Sequence, residues 1–501
     1  MLPAGAQPAA DCDGPPALTA AARAKPSEDS HTALGLWFLD RANFPCAVTA
    51  FRSAVALNGS SARARGNLGI ALARLAAQRT RAGDFAGAAQ AYRDSLAMTP
   101  GDAAVRHDLA LALMKLGQRA GAEAELEAAV RLKPDFAAAQ TNLGVLYQQS
   151  GRTADAERLF RRSVESDPGQ VAGYLNLGLT LIAQSRFAES EAVLRRARGL
   201  NPDNPAVLTA LGMSMMRQRR YQDALPVLRR AAALQPNSPV GRLNVGIALA
   251  DLSLKEEAIK EFEEALRLSP RLAEAHYNLG RALYELRRFE EAQAALERAT
   301  SLRPDHAPAW MMLGMAEGSL GRPEKAAGYL QRSLALGWSD TTAHYKLGKA
   351  LIDTGRESEG VEHLKKAVEI DPANTQAVFA LMKVMSGRDP AGAREYGQQL
   401  RGLKADSLTA GRARTLSNFA LGAAKEENWP KAISGLREAI EVCGECPERA
   451  LLRKNLGLIL AQSGDNASAV AELAAAHQLD PSDRDIEYAL TLLRGRVGAA
   501  K

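Results

Sequence analysis

The segment NLGVLYQQSGRTADAERLFRRSVESDPGQVAGYLNLG, residues 142–178, decides the fold because it begins and ends on the same tripeptide. The small residue that closes this tripeptide recurs at an interval of 34 residues along the chain. The positions that share this step are Ala110, Gly144, Gly178, Gly212, Gly246, Gly280, Gly314 and Gly348. A constant period of this length indicates an array of small structural units rather than a set of unrelated globular domains.

Other positions keep the same period. In the quoted unit a small residue, Ala156, stands twelve positions after Gly144, the large apolar Phe160 follows sixteen after it, and the small Ser163 nineteen after it. Small residues let two helices approach closely, and large apolar residues fill the space between them, so each unit is predicted to be a hairpin of two helices. Pro168 ends the unit because proline cannot continue a helix. The tight turns inside the hairpins are predicted at Gly117, Gly151, Gly321 and Gly355.

This pattern resembles the tetratricopeptide repeat, and the resemblance extends over nearly the whole chain. The family implies an all-α fold, an α-solenoid of stacked helix-turn-helix repeats that forms a right-handed superhelix. The array also resembles the repeat domain of the O-linked N-acetylglucosamine transferases, here without their catalytic domain. The resemblance to those enzymes therefore implies no transferase activity for this chain.

The register of the pattern sets the predicted boundaries. Residues 1–27 are expected to form a flexible tail, and ten repeats are expected over residues 28–374. These repeats span 28–61, 62–102, 103–136, 137–170, 171–204, 205–238, 239–272, 273–306, 307–340 and 341–374. The step from Gly69 to Ala110 is seven residues too long, which is close to two helical turns and predicts a lengthened hairpin.

The pattern becomes irregular after residue 374. Gly387, Pro390 and Gly392 interrupt the expected second helix, so residues 375–412 are predicted to be a degenerate repeat or linker. Two C-terminal repeats follow over 413–483, and residues 484–501 are predicted to form a capping helix and tail. Such a cap is needed because the last repeat of an array would otherwise expose its apolar face.

Composition narrows the function classes. The 63 Lys and Arg residues exceed the 57 Asp and Glu residues by only six charges, and the basic clusters alternate with acidic residues, so no nucleic-acid partner is predicted. No apolar run is long enough to span a bilayer, so no direct membrane insertion is expected. The repeats leave no span for a catalytic domain, and neither a phosphate-binding loop nor an HExxH motif is present. The chain is therefore predicted to be no enzyme and to need no cofactor or metal.

The four cysteines form two groups, Cys12 with Cys46 and Cys443 with Cys446. A single CxxC without a second pair is a poor zinc site, so disulfides or inert thiols are expected instead. Disulfides would indicate an oxidising compartment, whereas the first 30 residues lack the basic start and apolar block of a signal peptide. The sequence as it stands predicts a soluble cytoplasmic chain, or a periplasmic or secreted one if an upstream signal is missing.

The family implies that the first helix of each repeat lines a concave groove that binds peptides. Two sets of residues are candidates for that groove. Asparagine recurs two positions before the repeat glycine at Asn67, Asn142, Asn176, Asn244 and Asn278, and methionines cluster at Met213, Met216, Met311 and Met315. The amides either grip a peptide backbone or bond neighbouring helices. The methionines either contact an apolar ligand or pack between helices.

The predicted function is therefore a scaffold that binds an extended peptide or an amphipathic segment of other proteins, with self-association also compatible. An alternative is an accessory or substrate-recognition subunit of a glycosyltransferase or another enzyme complex. A helical repeat that reads RNA is a further alternative. It is disfavoured because the inner wall is apolar and aromatic residues make up only 5% of the chain.

Overall fold

The computed structural model describes residues 12–499, which form helices and connecting turns with no strand in that range. The chain divides into two compact units, Met1–Ala275 and His276–Lys501, called here the N-terminal and C-terminal units. The helices of the N-terminal unit are α1 Pro16–Ala24, α2 Glu28–Asp40, α3 Phe44–Leu57, α4 Ala62–Arg81, α5 Phe85–Met98, α6 Ala103–Lys115, α7 Arg119–Leu132, α8 Ala137–Gln149, α9 Thr153–Ser166, α10 Val171–Ala183, α11 Phe187–Leu200, α12 Pro205–Arg217, α13 Tyr221–Leu234, α14 Pro239–Asp251 and α15 Lys255–Leu268. The boundary falls within α16 Ala273–Glu285. The remaining helices are α17 Phe289–Leu302, α18 Ala307–Ser319, α19 Pro323–Ala335, α20 Thr341–Asp353, α21 Glu357–Ile370, α22 Thr375–Met385, α23 Pro390–Lys425, α24 Trp429–Cys443, α25 Arg449–Gln462, α26 Asn466–Leu479 and α27 Arg484–Ala499. The predicted all-α array of helical hairpins is confirmed.

The repeat glycine is the point of closest approach inside each hairpin. A Cβ atom built on Gly144 of α8 would lie 2.6 Å from Cε1 of Phe160 in α9. One built on Gly246 of α14 would lie 2.5 Å from Cε1 of Phe262 in α15. Both phenylalanines are fully buried. The 34-residue pairing of a glycine with a large apolar residue therefore reflects direct packing of the two helices.

The turn inside each hairpin requires a left-handed backbone. Gly117, Gly151, Gly321 and Gly355 have φ angles of 72°, 77°, 74° and 80°, so the turn prediction is confirmed. The same turn is made without glycine in other repeats, at Ser185, Arg219, Ser253 and Arg287, with φ between 60° and 65°. The turn geometry is therefore kept even where the sequence does not offer the residue best suited to it.

The long step between Gly69 and Ala110 is absorbed by one helix. α4 has 20 residues, whereas α6, the first helix of the next repeat, has 13. Because the added residues are nearly two full turns, the helix keeps its apolar face toward α5. Ala71 and Ala76, on either side of the point where a 13-residue helix would end, are both fully buried. The predicted lengthened hairpin is confirmed.

The predicted flexible tail differs from the structure where the structure describes it. Residues 1–11 lie outside the described range, but α1 Pro16–Ala24 is helical and buries Ala22. A disulfide joins Cys12 to Cys46 in α3, which ties this segment to the first repeat. The tail prediction is therefore wrong for residues 16–24, because the cross-link and the packing of Ala22 order a segment whose composition alone indicates no fold.

The segment predicted to be a degenerate repeat or linker, residues 375–412, is a helical pair in which α22 packs against α23. After α22, Pro390 occupies the first turn of α23, where proline is tolerated, and Asp389 caps that helix by accepting hydrogen bonds from the N–H groups of Ala391 and Gly392. Gly387 lies in the turn between the two helices, but α23 then runs for 36 residues without a break, so Pro390 and Gly392 start the helix rather than interrupt it. Each glycine in α23 disfavours the helix by about 1 kcal/mol relative to alanine, and burial of Leu400 and Ala413 outweighs this cost.

The C-terminal unit ends in a closed apolar core. α27 buries Ile486, Leu490 and Leu493 against the last hairpin, α25 and α26. A second disulfide joins Cys443 at the end of α24 to Cys446 in the following turn. All cysteines of the described range are thus paired. The helix that the sequence assigned to the cap covers the face that the last repeat would otherwise expose.

A ladder of ion pairs on the second helices was not foreseen from the sequence. The carboxylate of Glu191 in α11 accepts hydrogen bonds from Arg195 at 2.7 Å, from Gln218 at 2.8 Å and from Arg220 at 2.8 and 3.0 Å. The same arrangement surrounds Glu157, 34 residues earlier. Burial raises the pKa of the Glu191 carboxyl, but these hydrogen bonds outweigh it and hold the pKa below the ordinary value. Each of these two carboxylates therefore links its repeat to the following one.

Candidate peptide-binding surface

The first helices of the repeats form the inner side of the N-terminal unit. α8 contacts α10, α10 contacts α12, and α12 contacts α14, whereas contacts of that extent do not occur between successive second helices of the described residues. Elements that touch directly lie closer together than elements that do not. The surface carried by α8, α10, α12 and α14 is therefore the shorter, concave side of this part of the unit. It holds the candidates Asn142, Asn176, Asn244, Met213 and Met216.

An apolar row runs along this surface at the position directly after the repeat glycine. In seven consecutive repeats the row consists of Leu36, Ile70, Leu111, Val145, Leu179, Met213 and Ile247. Leu36, Ile70 and Leu179 expose 48%, 51% and 38% of their surface, and the other four are half-buried. We call these seven residues the apolar row. Of these seven residues, Met213 is among the methionines predicted to line the groove, and the 34-residue register of the sequence contains the whole row.

The asparagines that precede the row are partly used within the fold. The Asn142 Nδ2 atom lies 2.9 Å from Nε2 of His107 in the preceding repeat, and the Asn176 amide donates to the carbonyl of Ala172 in its own helix. Asn67 is half-buried, as are Asn142 and Asn176. Asn142 therefore bonds a neighbouring helix, which is one of the two roles considered for this position. All three remain accessible to solvent in part.

Two further asparagines are more deeply placed. Asn244 and Asn278 expose only 7% and 8% of their surface. The Nδ2 atom of Asn244 has no hydrogen-bond partner within the described part of the chain. An unpaired buried amide is costly, so this group is available to a ligand acceptor or a water that reaches it. Burial leaves both side chains far less area for contact than Asn67 has.

The methionines also fall into a partly accessible pair and a more deeply packed pair. Met213 and Met216 of α12 are half-buried on the inner surface. Met311 is 8% exposed and belongs to a core with Leu330 and Leu347, and Met315 packs against that core. Met311 is therefore a packing residue, and its prediction as a contact residue is corrected because its side chain is occupied by neighbouring helices.

The C-terminal unit contains a groove that the sequence did not indicate. It has a volume of about 630 Å³ and is lined by Asn418 of α23 and Asn455 of α25, together with Leu458 and Lys425. Both asparagines stand two positions before the residue at the repeat-glycine position. The 34-residue register of the sequence places both residues at the candidate asparagine position, but only the structure shows that they line a common groove.

Two histidines of the C-terminal unit lie together. The Nδ1 atoms of His344 in α20 and His363 in α21 are 3.0 Å apart, and the rings stack at 5.2 Å. Burial lowers the pKa of both imidazoles, and the mutual repulsion of the pair lowers that of His363 further. Two adjacent imidazoles of this kind are most stable when both are neutral. Within residues 12–499, however, no group of three or more side chains is placed to hold a metal ion.

The hairpin array and its apolar inner surface define a class of helical-repeat proteins. Models of the tetratricopeptide repeat match residues 32–103, 107–171, 175–239, 277–341, 341–374 and 418–484, and a further TPR repeat model matches 256–287. These matches cover most of the chain, which therefore belongs to the tetratricopeptide repeat family. No curated protein sequence matches it.

Solved structures of such repeats resemble parts or most of the chain. A tetratricopeptide repeat protein from Parabacteroides merdae has 16% identity and a TM-score of 0.41 over 50% of this chain and 98% of its own. YrrB, described as a TPR protein with an unusual peptide-binding site, has 23% identity and a TM-score of 0.32 over 37% of this chain and 95% of its own. The Cut9–Hcn1 hetero-tetramer of the APC/C matches over 95% of this chain and 98% of its own, with 15% identity and a TM-score of 0.33.

None of the helices within residues 12–499 combines the length and the apolar character that a membrane span needs.

Proposed function

We propose that the chain is a non-catalytic scaffold that binds an extended peptide or an amphipathic segment of a partner protein along the first helices of its N-terminal unit. The apolar row carries this proposal. Its seven side chains follow one another on successive repeats, three of them exposed and four half-buried. A row of accessible apolar side chains of this kind is typical of a site that another molecule covers.

The partly exposed amides support the same proposal. Asn142 stands three positions before Val145 of the row, and residues at that spacing share one face of a helix. The same holds for Asn67 and Ile70, and for Asn176 and Leu179. Each of these repeats therefore presents an apolar side chain beside an amide that both donates and accepts hydrogen bonds. This combination suits a peptide whose backbone runs along the amides while its apolar side chains cover the row.

The test compares two matched leucines of the N-terminal unit. Leu179 in the row exposes 38% of its surface, and Leu200, the last residue of α11 outside the row, exposes 41%. The wild-type chain and each Leu→Glu variant are applied to an array of amphipathic peptides. Covering the exposed third of the Leu179 side chain is worth roughly 0.5–1 kcal/mol, and the carboxylate that replaces it would also have to be desolvated, so Leu179→Glu should weaken binding about tenfold.

Leu200→Glu is the matched control and should leave peptide binding unchanged. Circular dichroism of both variants establishes that each is folded. If Leu179→Glu and Leu200→Glu bind the same peptides with the same affinity as the wild type, the row is not the binding surface. If RNA rather than peptides is bound and Leu179→Glu abolishes that binding, the protein-binding role is also refuted.

The same surface would serve a subunit that presents substrates to an enzyme, including a glycosyltransferase. In that role the chain binds a partner segment by the same contacts, so the peptide-array test applies to it without change. The disulfides Cys12–Cys46 and Cys443–Cys446 support residence in an oxidising compartment, because reducing compartments keep thiols free. Thiol labelling of the protein in intact native cells tests this: extensive labelling of the four cysteines would contradict it.

A further inference from the structure

The position directly after the repeat glycine, which the apolar row occupies in the N-terminal unit, carries lysine on two first helices of the C-terminal unit. Lys349 of α20 follows Gly348, and Lys383 of α22 follows Met382, which occupies the repeat-glycine position. Lys346 stands two positions before Gly348, where other repeats carry asparagine. The three lysines therefore occupy the positions that the apolar row and its amides occupy elsewhere.

Lys346 and Lys349 open into a cleft of about 190 Å³ between α18, α19 and α20. Gly314 and Gly318 line this cleft, and their lack of side chains contributes to its space. The Ser319 hydroxyl and the Asp353 carboxylate are also part of the lining. The cleft thus has two cationic groups, one anionic group and room for an added side chain.

The lysines of this cleft have no ion-pair partner in the described part of the chain. None of the ion pairs found among residues 12–499 includes Lys346, Lys349 or Lys383, whereas Lys365 on the adjacent α21 pairs with Glu362 at 3.1 Å. Lys346 is half-buried, its Nζ atom lies 5.6 Å from the centroid of the Tyr345 ring, and burial together with the charge of Lys349 lowers the pKa of its ammonium group. Lys346 and the exposed Lys349 are like charges three residues apart on one helix, and a carboxylate placed between them would offset their repulsion.

We propose that Lys346 and Lys349, extended by Lys383, bind the carboxylate side chains of an acidic segment of a partner protein. This inference rests on the proposed role as a protein-binding scaffold. The acidic segment would bind to the C-terminal unit through charges, whereas the apolar row lies on the N-terminal unit and binds through apolar contacts. The segment would place one carboxylate in the cleft, and a following one near Lys383.

The surroundings favour an acidic peptide over a nucleic acid. The exposed ring of Phe379 on α22 and the half-buried Tyr345 and Met315 flank the lysines, so the ligand meets apolar groups between the charges. A peptide that alternates acidic and apolar side chains complements this surface, because its carboxylates are separated by groups that the rings can contact.

The test uses the full-length chain and three labelled peptides that differ only in the charged residue of an alternating pattern with leucine: glutamate, glutamine or lysine. Fluorescence anisotropy measures their affinity at about 0.05 M and about 0.3 M salt, because screening of exposed charges increases over this range. The glutamate peptide should bind about tenfold more tightly than the glutamine peptide at low salt, as expected for two partly exposed ion pairs. Lys346→Gln with Lys349→Gln should remove this preference.

The matched control removes the same charge elsewhere. Lys404→Gln with Lys431→Gln changes two exposed lysines of the same unit that do not line the cleft, and it should keep the preference for the glutamate peptide. The inference is overturned if the glutamate and glutamine peptides bind alike, or if both double variants reduce binding equally. It is also overturned if an oligonucleotide competes better than the glutamate peptide and depends on Lys346 and Lys349.

Failure of this inference is distinguishable from failure of the proposed function. Leu179→Glu tests the N-terminal unit with amphipathic peptides, and the lysine variants test the C-terminal unit with charged ones. If the lysine variants have no effect while Leu179→Glu abolishes amphipathic binding, the scaffold role stands and only the acidic site is refuted.

Discussion

Replacement of Gly144 by alanine tests whether the hairpins are held at the distance that the structure shows. The new Cβ atom would lie 2.6 Å from Cε1 of Phe160 and 3.0 Å from its Cδ1 and Cζ atoms. Ordinary contacts between such carbon atoms begin at about 3.5 Å, so the ring or the helices have to move by nearly 1 Å. Ala110 occupies the equivalent position of α6, so a methyl group is tolerated where the helices are spaced to receive it.

The magnitude follows from two opposing effects. Overpacking of a well-filled core costs about 1–3 kcal/mol, whereas alanine favours a helix over glycine by about 1 kcal/mol. Gly66 in α4 is the matched control, because a Cβ atom there would have no neighbour within 4 Å. The propensity gain is common to both variants, so Gly144→Ala should be less stable than Gly66→Ala by about 1–3 kcal/mol.

The assay is native-state amide hydrogen exchange followed by mass spectrometry, because stability in a repeat array is local. Exchange in α8 and α9 of Gly144→Ala should be faster than in the wild type, by about tenfold per 1.4 kcal/mol lost. Exchange in α4 of Gly66→Ala should be slower than in the wild type. If Gly144→Ala slows exchange in α8 and α9 as Gly66→Ala does in α4, the close contact does not hold the hairpin together and the reasoning is wrong.

Four further predictions concern other groups. Glu191→Ala should destabilise α11 to α13 by about 1–3 kcal/mol, because it leaves Arg195 unpaired and Arg220 with Asp223 alone. Since the folded-state pKa of Glu191 is lowered, the same stabilisation in the wild type should be lost as pH falls below about 4.3, which hydrogen exchange across a pH series would show. Glu317→Leu should raise the urea midpoint by an amount equivalent to about 1–3 kcal/mol, because Glu317 is fully buried, its Oε1 atom has no partner, and Leu351 fills the equivalent place one repeat later. Its ion-pair partner Arg322 is 44% exposed and keeps its hydrogen bond to Gln293; an unchanged or lower midpoint would contradict this prediction. Cys12→Ser should expose residues 16–24 to protease, because the lost disulfide closes a loop of 34 residues and contributes up to about 4 kcal/mol to stability. Cys443→Ser is the control and should leave that segment protected. Because the pKa values of His344 and His363 are lowered in the folded chain, the unfolded chain takes up protons first, so α20 and α21 should lose stability as pH falls below about 6.5, and His363→Gln should reduce that loss.

The sequence by itself determined the fold class and most of the register. A glycine, a large apolar residue and two small residues at fixed intervals leave only one economical arrangement, a hairpin whose helices touch at Gly144 and Phe160, and stacking follows because one hairpin cannot bury its apolar face alone. The lengthened α4 was also predictable, since seven residues preserve the orientation of a helix. These features depend on neighbours in sequence or on an exact period, and a sequence records both directly.

The tertiary structure decided which side chains are available to a ligand and which are occupied by packing or by ion pairs. Met311 and Met213 have the same residue type and similar settings in sequence, yet Met311 is enclosed by α19 and α20 while Met213 stays on the surface. Lys346 and Lys365 are equally plausible as solvated charges, but only the fold pairs Lys365 with a carboxylate and places the Lys346 ammonium over the Tyr345 ring. Pro390 and Gly392 read as breaks until packing shows that Pro390 begins a 36-residue helix. Burial and pairing depend on residues that are distant in sequence, so no local pattern contains them.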